Sequence, residues 1–361
     1  MAYKNKNTIH QIIKQAQYNL NQPDWDYLIG GTETETTLAR NRQALDSLGF
    51  RPSVLNDVSE IDPSGSFLGQ HLTIPVLLAP IGSLQKFEAG GGATAARAAG
   101  EYGIMSIASS VCTPGIEEIA AASDAPKVFQ LYVRGDEKWV DDIVERVIAS
   151  GYKAFCLTVD TAVVSRRERD LAKGHLLTSR SNPGDMIWQA RLNWKDVERI
   201  RKTHDIPLIL KGINTPADAS RALDLGVDVI YVSNHGGRQL DHGPGAIDLL
   251  PEIVALAKGR AEIVIDGGFY RGADILKGLA LGADAVGIGR LEAWAMAAGG
   301  VDGLLNMLDL LEWEIRTNMA LLGITSLSEL NESFLTRTTP VREPSVFSAF
   351  PLLNLADEGY C

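Results

Sequence analysis

From residue 74 onward, short apolar runs alternate with stretches whose apolar residues recur at helical spacing. Eight such runs occur, at Ile74–Pro80, Ile104–Ser109, Lys127–Tyr132, Ala154–Asp160, Ile206–Lys211, Val227–Ser233, Glu262–Asp266 and Ala285–Gly289. Several are rich in Val, Ile and Leu without polar alternation, as strands covered on both faces are. Between them lie helical patterns such as Ala93–Tyr102, Val140–Ala149, Pro216–Leu225 and Gly272–Leu281. The alternation predicts an α/β fold, a (β/α)8 TIM barrel. An internal echo agrees with it. The pattern Ala217-Asp218, Leu223, Leu225-Gly226, Asp228 returns in register as Ala273-Asp274, Leu279, Leu281-Gly282, Asp284, each copy a helix, a glycine stop and the next strand.

The flanks read differently. Residues 8–50 have helical spacing, clearest at Leu38–Leu45, with Gly30-Gly31 breaking the run and Thr32 or Thr34 placed to cap the helix that follows. Residues 51–73 look irregular, punctuated by Pro and Gly. The chain therefore divides into an N-terminal helical segment (1–73) packing on the barrel, the barrel itself (74–335) and a C-terminal tail (336–361). The tail is expected to be extended, with packing on a neighbouring subunit as one outcome. The strong helix pattern at Val301–Leu322 closes the barrel portion. One connection is anomalous: roughly forty residues separate Asp160 from Ile206, and Thr178–Gly184 within them is polar and rich in breakers. Such a long connection in a compact domain reads as a lid insertion after strand 4.

Composition narrows the partners. The 361 residues are 45% hydrophobic and carry a net charge of −11. The pI of about 5.1 argues against nucleic acid or an anionic membrane as a partner of the whole molecule. The three cysteines, Cys112, Cys156 and Cys361, are odd in number and match no metal-ligand spacing. They predict a reducing, cytoplasmic setting without a disulfide framework or a metal site. The N-terminus lacks an apolar signal core, and no run of about 18 apolar residues predicts a membrane span.

In a parallel barrel the C-terminal strand ends converge on one site. Here they read Ala79-Pro80-Ile81-Gly82, Ser109, Gln130-Leu131-Tyr132, Thr158-Val159-Asp160, Lys211, Ser233-Asn234-His235, Asp266-Gly267-Gly268 and Gly289-Arg290. Glycine-rich turns after strands 7 and 8, with Arg290, suit a phosphate held by backbone N–H groups and a cation, although glycine also simply ends strands. Lys211 ends an apolar strand, where an unpartnered cation is costly. Either Asp160 or Asp266 pairs with it, or it waits for an anionic ligand. Asp160 is placed to orient His235, or else caps Thr161. Tyr132 is a rim aromatic or a site residue. Arg166-Arg167 is a solvated run, or Arg167 joins Arg238 in clamping a carboxylate. His235 by itself would pass for a solvated loop residue; with the other strand ends it becomes a candidate base.

These residues also carry a family pattern. Ser233-Asn234-His235-Gly236-Gly237-Arg238-Gln239-Leu240-Asp241, Phe129–Val133, Leu157–Thr161, Arg166–Glu168, Asp266–Gly268, Gly287–Arg290 and Asp26-Tyr27 with Gly30-Gly31 occur in order. From about Tyr27 to Leu330 the chain resembles the FMN-dependent α-hydroxy-acid oxidases and dehydrogenases, a group including glycolate oxidase, lactate oxidase and mandelate dehydrogenase.

The resemblance implies FMN as cofactor and oxidation of an (S)-2-hydroxy acid to the 2-oxo acid, with O2 or another electron acceptor. It implies that His235 is the catalytic base, that Asp160 stabilises its imidazolium and that Tyr132 sits at the substrate hydroxyl. Arg167 and Arg238, helped by Tyr27, would bind the substrate carboxylate. Lys211 would lie against the flavin N1–O2 edge. Pro80, Ile81, Gly82, Ser109, Gln130, Thr158 and Ser233 would line the flavin, and Asp266, Gly267, Gly268, Gly289 and Arg290 would hold the ribityl chain and phosphate. A homotetramer is the family expectation.

The chain departs from the pattern in places. Tyr270 replaces the first of two arginines after Asp266-Gly267-Gly268, and Leu291 replaces a proline. Val111 replaces a tryptophan over the pocket and Gly82 an alanine found in several oxidases. The last two predict a roomier pocket, suited to bulky or aryl acids such as mandelate or hydroxymandelate. The 170–193 segment is short for the family, and its cluster Met186-Ile187-Trp188 reads as lid packing. Alternatives are lactate oxidase or monooxygenase-like activity, or a non-oxidative FMN-binding barrel such as an isomerase.

Overall fold

The computed structural model describes residues 3–173 and 186–354. All eight apolar runs form strands: β1 (Val76–Leu78), β2 (Met105–Ser109), β3 (Lys127–Leu131), β4 (Ala154–Thr158), β5 (Leu208–Ile213), β6 (Val229–Val232), β7 (Glu262–Ile265) and β8 (Ala285–Ile288). They pair in parallel around a closed barrel, β8 against β1 completing the ring. The helices expected between strands surround it, for example Gly91–Tyr102, Glu137–Ala149, Pro216–Asp224 and Gly272–Ala280. Strands covered on both faces need two cores, and two exist. One fills the space between strands and helices. The other, including Leu77, Met105, Ile107, Val128, Ala154, Ile209 and Val264, fills the barrel interior.

The lower end of that interior is closed by a part of the chain whose sequence looked irregular. Gly65–Phe67 and Gln70–Leu72 form an antiparallel hairpin. Its Phe67 and Leu72 are fully buried in the interior cluster. Strands of three residues each carry too little periodicity to announce themselves, so only the barrel's need for a plug identifies the hairpin.

The N-terminal segment covers the opposite end. Helices α1 (Ile9–Asn19), α2 (Gln22–Ile29) and α3 (Thr36–Asp46) follow one another. Neither Thr32 nor Thr34 caps α3 with its side chain, as Glu35 stands at the N-cap without a side-chain bond. The orphan N–H groups are served from a distance instead. Asp241 accepts from Thr37 N–H through Oδ1 at 2.7 Å and from Thr34 N–H through Oδ2 at 2.9 Å. A carboxylate at a helix N-terminus also suits the helix dipole.

The tail packs on its own chain. Leu335–Arg337 pairs antiparallel with Leu48–Phe50. Phe347 then stacks on Trp25 at 6.0 Å, and Phe350 meets Trp294 edge-on at 5.9 Å. The helix that ends at Leu322 begins at Arg290, broken at Gly299 and Gly300. After β4 come two short helices, Glu168–Ala172 and Met186–Arg191. Residues 174–185, which include the polar stretch read as a lid, lie outside the described residues. Gln189 anchors the far side of the insertion, donating to the Thr158 carbonyl at 2.8 Å and accepting from Val133 N–H at 2.6 Å. Among the described residues no helix is long and apolar enough to cross a membrane.

Removing the plug should destabilise the barrel from inside. Phe67→Ala is expected to cost about 3–5 kcal/mol in urea unfolding, as for other fully buried phenylalanines. A cost below about 1 kcal/mol would mean the hairpin is dispensable.

Candidate active site

The site is built on the turn that follows β6. His235, Gly236 and Gly237 have φ of 56°, 62° and 73°. The left-handed region is costly for a non-glycine residue, so His235 must be held there. Its N–H donates to Ser233 Oγ at 3.0 Å, and Gly237 N–H donates to the Asn234 carbonyl at 3.1 Å. Gly237 must be glycine for packing as well, since a Cβ there would lie 2.5 Å from Leu38 N of α3. The amides of Asn234 and Asn41 exchange hydrogen bonds at 3.0 and 2.7 Å, fastening the turn to α3.

The His235 ring is gripped on both sides. Nδ1 lies 3.0 Å from Asp160 Oδ1, and Nε2 lies 3.2 Å from the Tyr132 hydroxyl. A carboxylate beside Nδ1 assigns the proton to that nitrogen and leaves Nε2 as the acceptor facing the cleft. Burial by itself would raise the Asp160 carboxyl. The charge and hydrogen bond of His235, followed by the charge of Lys211, outweigh burial and hold it below its ordinary value. Burial, and then the Asp160 charge, push the Tyr132 phenol well up. Asp160 reaches His235 because β5 is irregular. The register shifts between Lys211 and Ile213, and Gly212 takes φ 110°. A Cβ on Gly212 would lie 2.5 Å from the Asp160 Cβ.

Below the turn lies a buried polar knot. Lys211 Nζ donates to Ser233 Oγ at 2.8 Å and pairs with Asp266 Oδ2 at 3.1 Å. Ser233 Oγ donates in turn to Asp266 Oδ1 at 2.5 Å. Burial alone would strip the lysine of its proton, but Asp266 and then Asp160 raise its pKa above the ordinary value. Beside this knot Ser109, Gln130 and Thr158 form a row: Ser109 Oγ meets Gln130 Oε1 at 2.7 Å, and Gln130 Nε2 donates to Thr158 Oγ1 at 2.8 Å.

Of the residues expected at the site, Tyr27, Pro80, Ile81, Gly82, Tyr132, Arg167, Lys211, His235, Arg238, Asp266, Gly267, Gly268, Gly289 and Arg290 line one cleft at the barrel mouth. Ser109, Gln130, Thr158, Asp160 and Ser233 lie at its base or behind it rather than on its wall. The guanidinium groups of Arg238 and Arg167 stand over the Tyr27 ring, at 4.6 and 5.7 Å from its centroid. Arg238 also donates to the carbonyls of Tyr27 and Gly30 at 2.8 and 2.9 Å.

Three placements differ from expectation. Arg290 is not a simple projecting cation: it donates to the carbonyls of Leu28, Gly236 and Gly30 at 3.1, 2.9 and 2.8 Å, strapping α2 to the histidine turn. Gly82 does not leave an open space, because Val111 Cγ2 would lie 2.7 Å from a Cβ there; the two small residues fit each other. Tyr270 is buried among Trp294 and Phe350 while lining the cleft, where it interacts with Arg290.

Gly212 and Asn41 escaped sequence reading. A glycine inside a strand does signal a bulge or a close approach, so Gly212 carried a detectable mark. Asn41 sits on a helix face with nothing to distinguish it.

Fold and cleft together define a barrel enzyme with an acceptor imidazole beside a glycine-rich cofactor seat. The chain belongs to the FMN-dependent dehydrogenase family, whose pattern matches residues 16–337. It is 41% identical over 347 residues to the L-lactate oxidase of Nostoc sp., covering 89% of this chain and 95% of that protein. It is 37% identical over 340 residues to glycolate oxidase 1 of Oryza sativa subsp. indica, covering 88% and 92%. Among solved structures, mandelate oxidase with benzoyl-formic acid superposes with a TM-score of 0.86 at 36% identity, covering 93% of this chain and all of that one. The protein is thus an FMN enzyme of the 2-hydroxy-acid oxidase family.

The seat fits that cofactor. Gly267 and Gly268, with φ of 108° and 86°, expose backbone to the cleft, and a Cβ on Gly289 would meet nothing within 4 Å, leaving its place for a ligand. Lys211 supplies a fixed positive charge at the cleft wall.

Gly212→Ala tests the geometry directly. It should keep native circular dichroism and bound flavin while kcat/KM falls by at least roughly tenfold, as the carboxylate is displaced from His235. Unchanged kcat/KM would show that the bulge does not position Asp160.

Proposed function

We propose that the protein oxidises an (S)-2-hydroxy acid with a bulky or aryl side group to the 2-oxo acid, with O2 as electron acceptor. The observation that carries this reading is His235 Nε2, held between Asp160 and Tyr132 in a cleft that also holds Arg167 and Arg238. Bound FMN would supply the two-electron acceptor.

The chain's own residues do the rest. The guanidinium groups of Arg167 and Arg238, braced by the Tyr27 ring, present donors in the fork geometry a carboxylate matches. A substrate so anchored places its hydroxyl toward His235 and Tyr132. His235 Nε2 accepts a proton from the substrate, and the carboxylate of Asp160 stabilises the imidazolium that results. Tyr132, kept protonated by burial, is a neutral donor to the substrate oxygen. Lys211, kept charged by Asp266 and Asp160, provides positive charge where the reduced cofactor would gain negative charge. Arg290 offers donors beyond the three used by carbonyls to the phosphate end, beside Gly267, Gly268 and Gly289.

The bulky side group is supported by the likeness to mandelate oxidase. The relatives named as oxidases support O2. A second reading, lactate oxidase-like activity, draws on the 41% identity to the Nostoc enzyme. A non-oxidative barrel would have no use for His235, Arg167 and Arg238 together.

The purified protein should be yellow, and anaerobic (S)-mandelate should bleach it. Admitting air should restore the colour with peroxide formation. His235→Ala should keep the colour and bleach about 10²–10⁴-fold more slowly, the range for losing a general base. Bleaching by no 2-hydroxy acid would refute the reading, and a clear preference for glycolate over mandelate would refute the bulky pocket.

Tyr270 bears on cofactor affinity. Tyr270→Arg should tighten FMN binding by roughly tenfold at low salt and make it more salt-sensitive, as an added cation near a phosphate does. Flavin fluorescence titration of the apoprotein measures it. No gain in affinity would place Tyr270 away from the phosphate.

A further inference from the structure

Among the described residues, the cleft holds one cation that the reaction above does not use. Arg134 lies three residues beyond β3, in extended alternation with Tyr132. Tyr132 and Arg134 both line the cleft, while Val133 between them is buried in the core, its N–H held by Gln189. Tyr132 and Arg134 also line a second cavity of about 180 Å³ behind the first, whose wall is largely apolar and includes Cys112, Ile116, Phe129 and Trp139. Arg134 is therefore a shared wall between the place where the hydroxyl carbon reacts and the space beyond it.

Its Nε, like those of Arg42, Arg167 and Arg199, is buried without a hydrogen bond among the described residues, and its guanidinium makes no ion pair with a described carboxylate. The neighbouring arginines are all engaged. Arg146, on the second cavity, is bound by Glu117 at 2.7 and 2.9 Å. Arg238 and Arg290 are bound by backbone carbonyls. In a chain with net charge −11, carboxylates are not scarce, yet none of the described ones pairs with Arg134. A buried donor without a partner is costly, so such a group is retained where a ligand completes it.

Charge balance points the same way. Among the described residues, the cleft is lined by Arg134, Arg167, Lys211, Arg238 and Arg290 and by one carboxylate, Asp266, which is spent on Lys211. The substrate carboxylate answers Arg167 and Arg238, and a cofactor phosphate answers Arg290. Arg134 is left over.

We propose that Arg134 receives an anionic group at the distal end of the substrate, so that the preferred substrate class is a 2-hydroxy acid bearing a second carboxylate. This rests on the oxidation reading above and sharpens it: the bulky side group is acidic. Arg134 is then a specificity-determining residue, and its contribution falls on KM more than on kcat, because the distal group does not change charge during the reaction.

The test uses the flavin-loaded protein and two near-isosteric pairs: (S)-4-carboxymandelate against (S)-4-methylmandelate, and (S)-2-hydroxyglutarate against (S)-2-hydroxyhexanoate. The ratio of kcat/KM, diacid over neutral partner, should exceed roughly ten in at least one pair and fall by roughly tenfold or more in Arg134→Gln, chiefly through KM. Arg134→Lys should retain part of the ratio. Preference for the neutral acid in both pairs, with normal flavin bleaching, would overturn this inference and leave the oxidation reading standing. A diacid preference that Arg134→Gln does not move would also overturn it. Bleaching by none of the four acids would overturn both.

Discussion

A buried lysine and a buried aspartate at the barrel mouth constrain everything above them. Neither Lys211 nor Asp266 can lose its partner without stranding a charge away from water, so β5 and β7 are tied at their ends. Ser233 at the end of β6 completes the knot by bonding to both. The same hydroxyl accepts the backbone N–H of His235, which transmits the constraint into a residue held in a left-handed conformation. The position of the base is thus set by an electrostatic requirement two residues away in the chain and one layer deeper in the barrel.

The roof is tied down by different chemistry. Arg238 and Arg290 donate to carbonyls of the segment Tyr27–Gly30, and Asp241 and Asn234 hold α3. Four residues of, or just beyond, the histidine stretch and β8 therefore serve the N-terminal helices. Such residues link the substrate side of the cleft to the scaffold, and the guanidinium groups do so without losing all their donors. Stacking of Tyr27 on Phe87 at 6.2 Å keeps the tyrosine ring under the arginines.

Around the cleft, small residues and their neighbours are fitted to one another. Val111 fills the space beside Gly82. Gly287 on β8 leaves room for the Tyr231 hydroxyl, which a side chain there would strike. Glu292, in the first turn of the helix after β8, is buried behind the Ala79 backbone, and desolvation raises its carboxyl well above the ordinary value. Nothing in the structure explains why a carboxylic acid stands there.

Sequence by itself determined the barrel, because strands buried on both faces leave uninterrupted apolar runs and eight of them leave no other parallel arrangement as simple. It also determined the constellation at the strand ends, because a parallel barrel brings those ends together whatever the loops do. His235, Asp160, Tyr132, Lys211 and Asp266 were all readable in this way. Tertiary structure decided what depends on contact between distant segments: the Gly212 bulge that admits Asp160, the Asn41–Asn234 pair, the hairpin plug around Phe67 and the redirection of Arg290 to backbone carbonyls. It alone separated Arg134 from the other arginines, because whether a cation has a partner depends on side chains far away in the chain, and periodicity carries no trace of them.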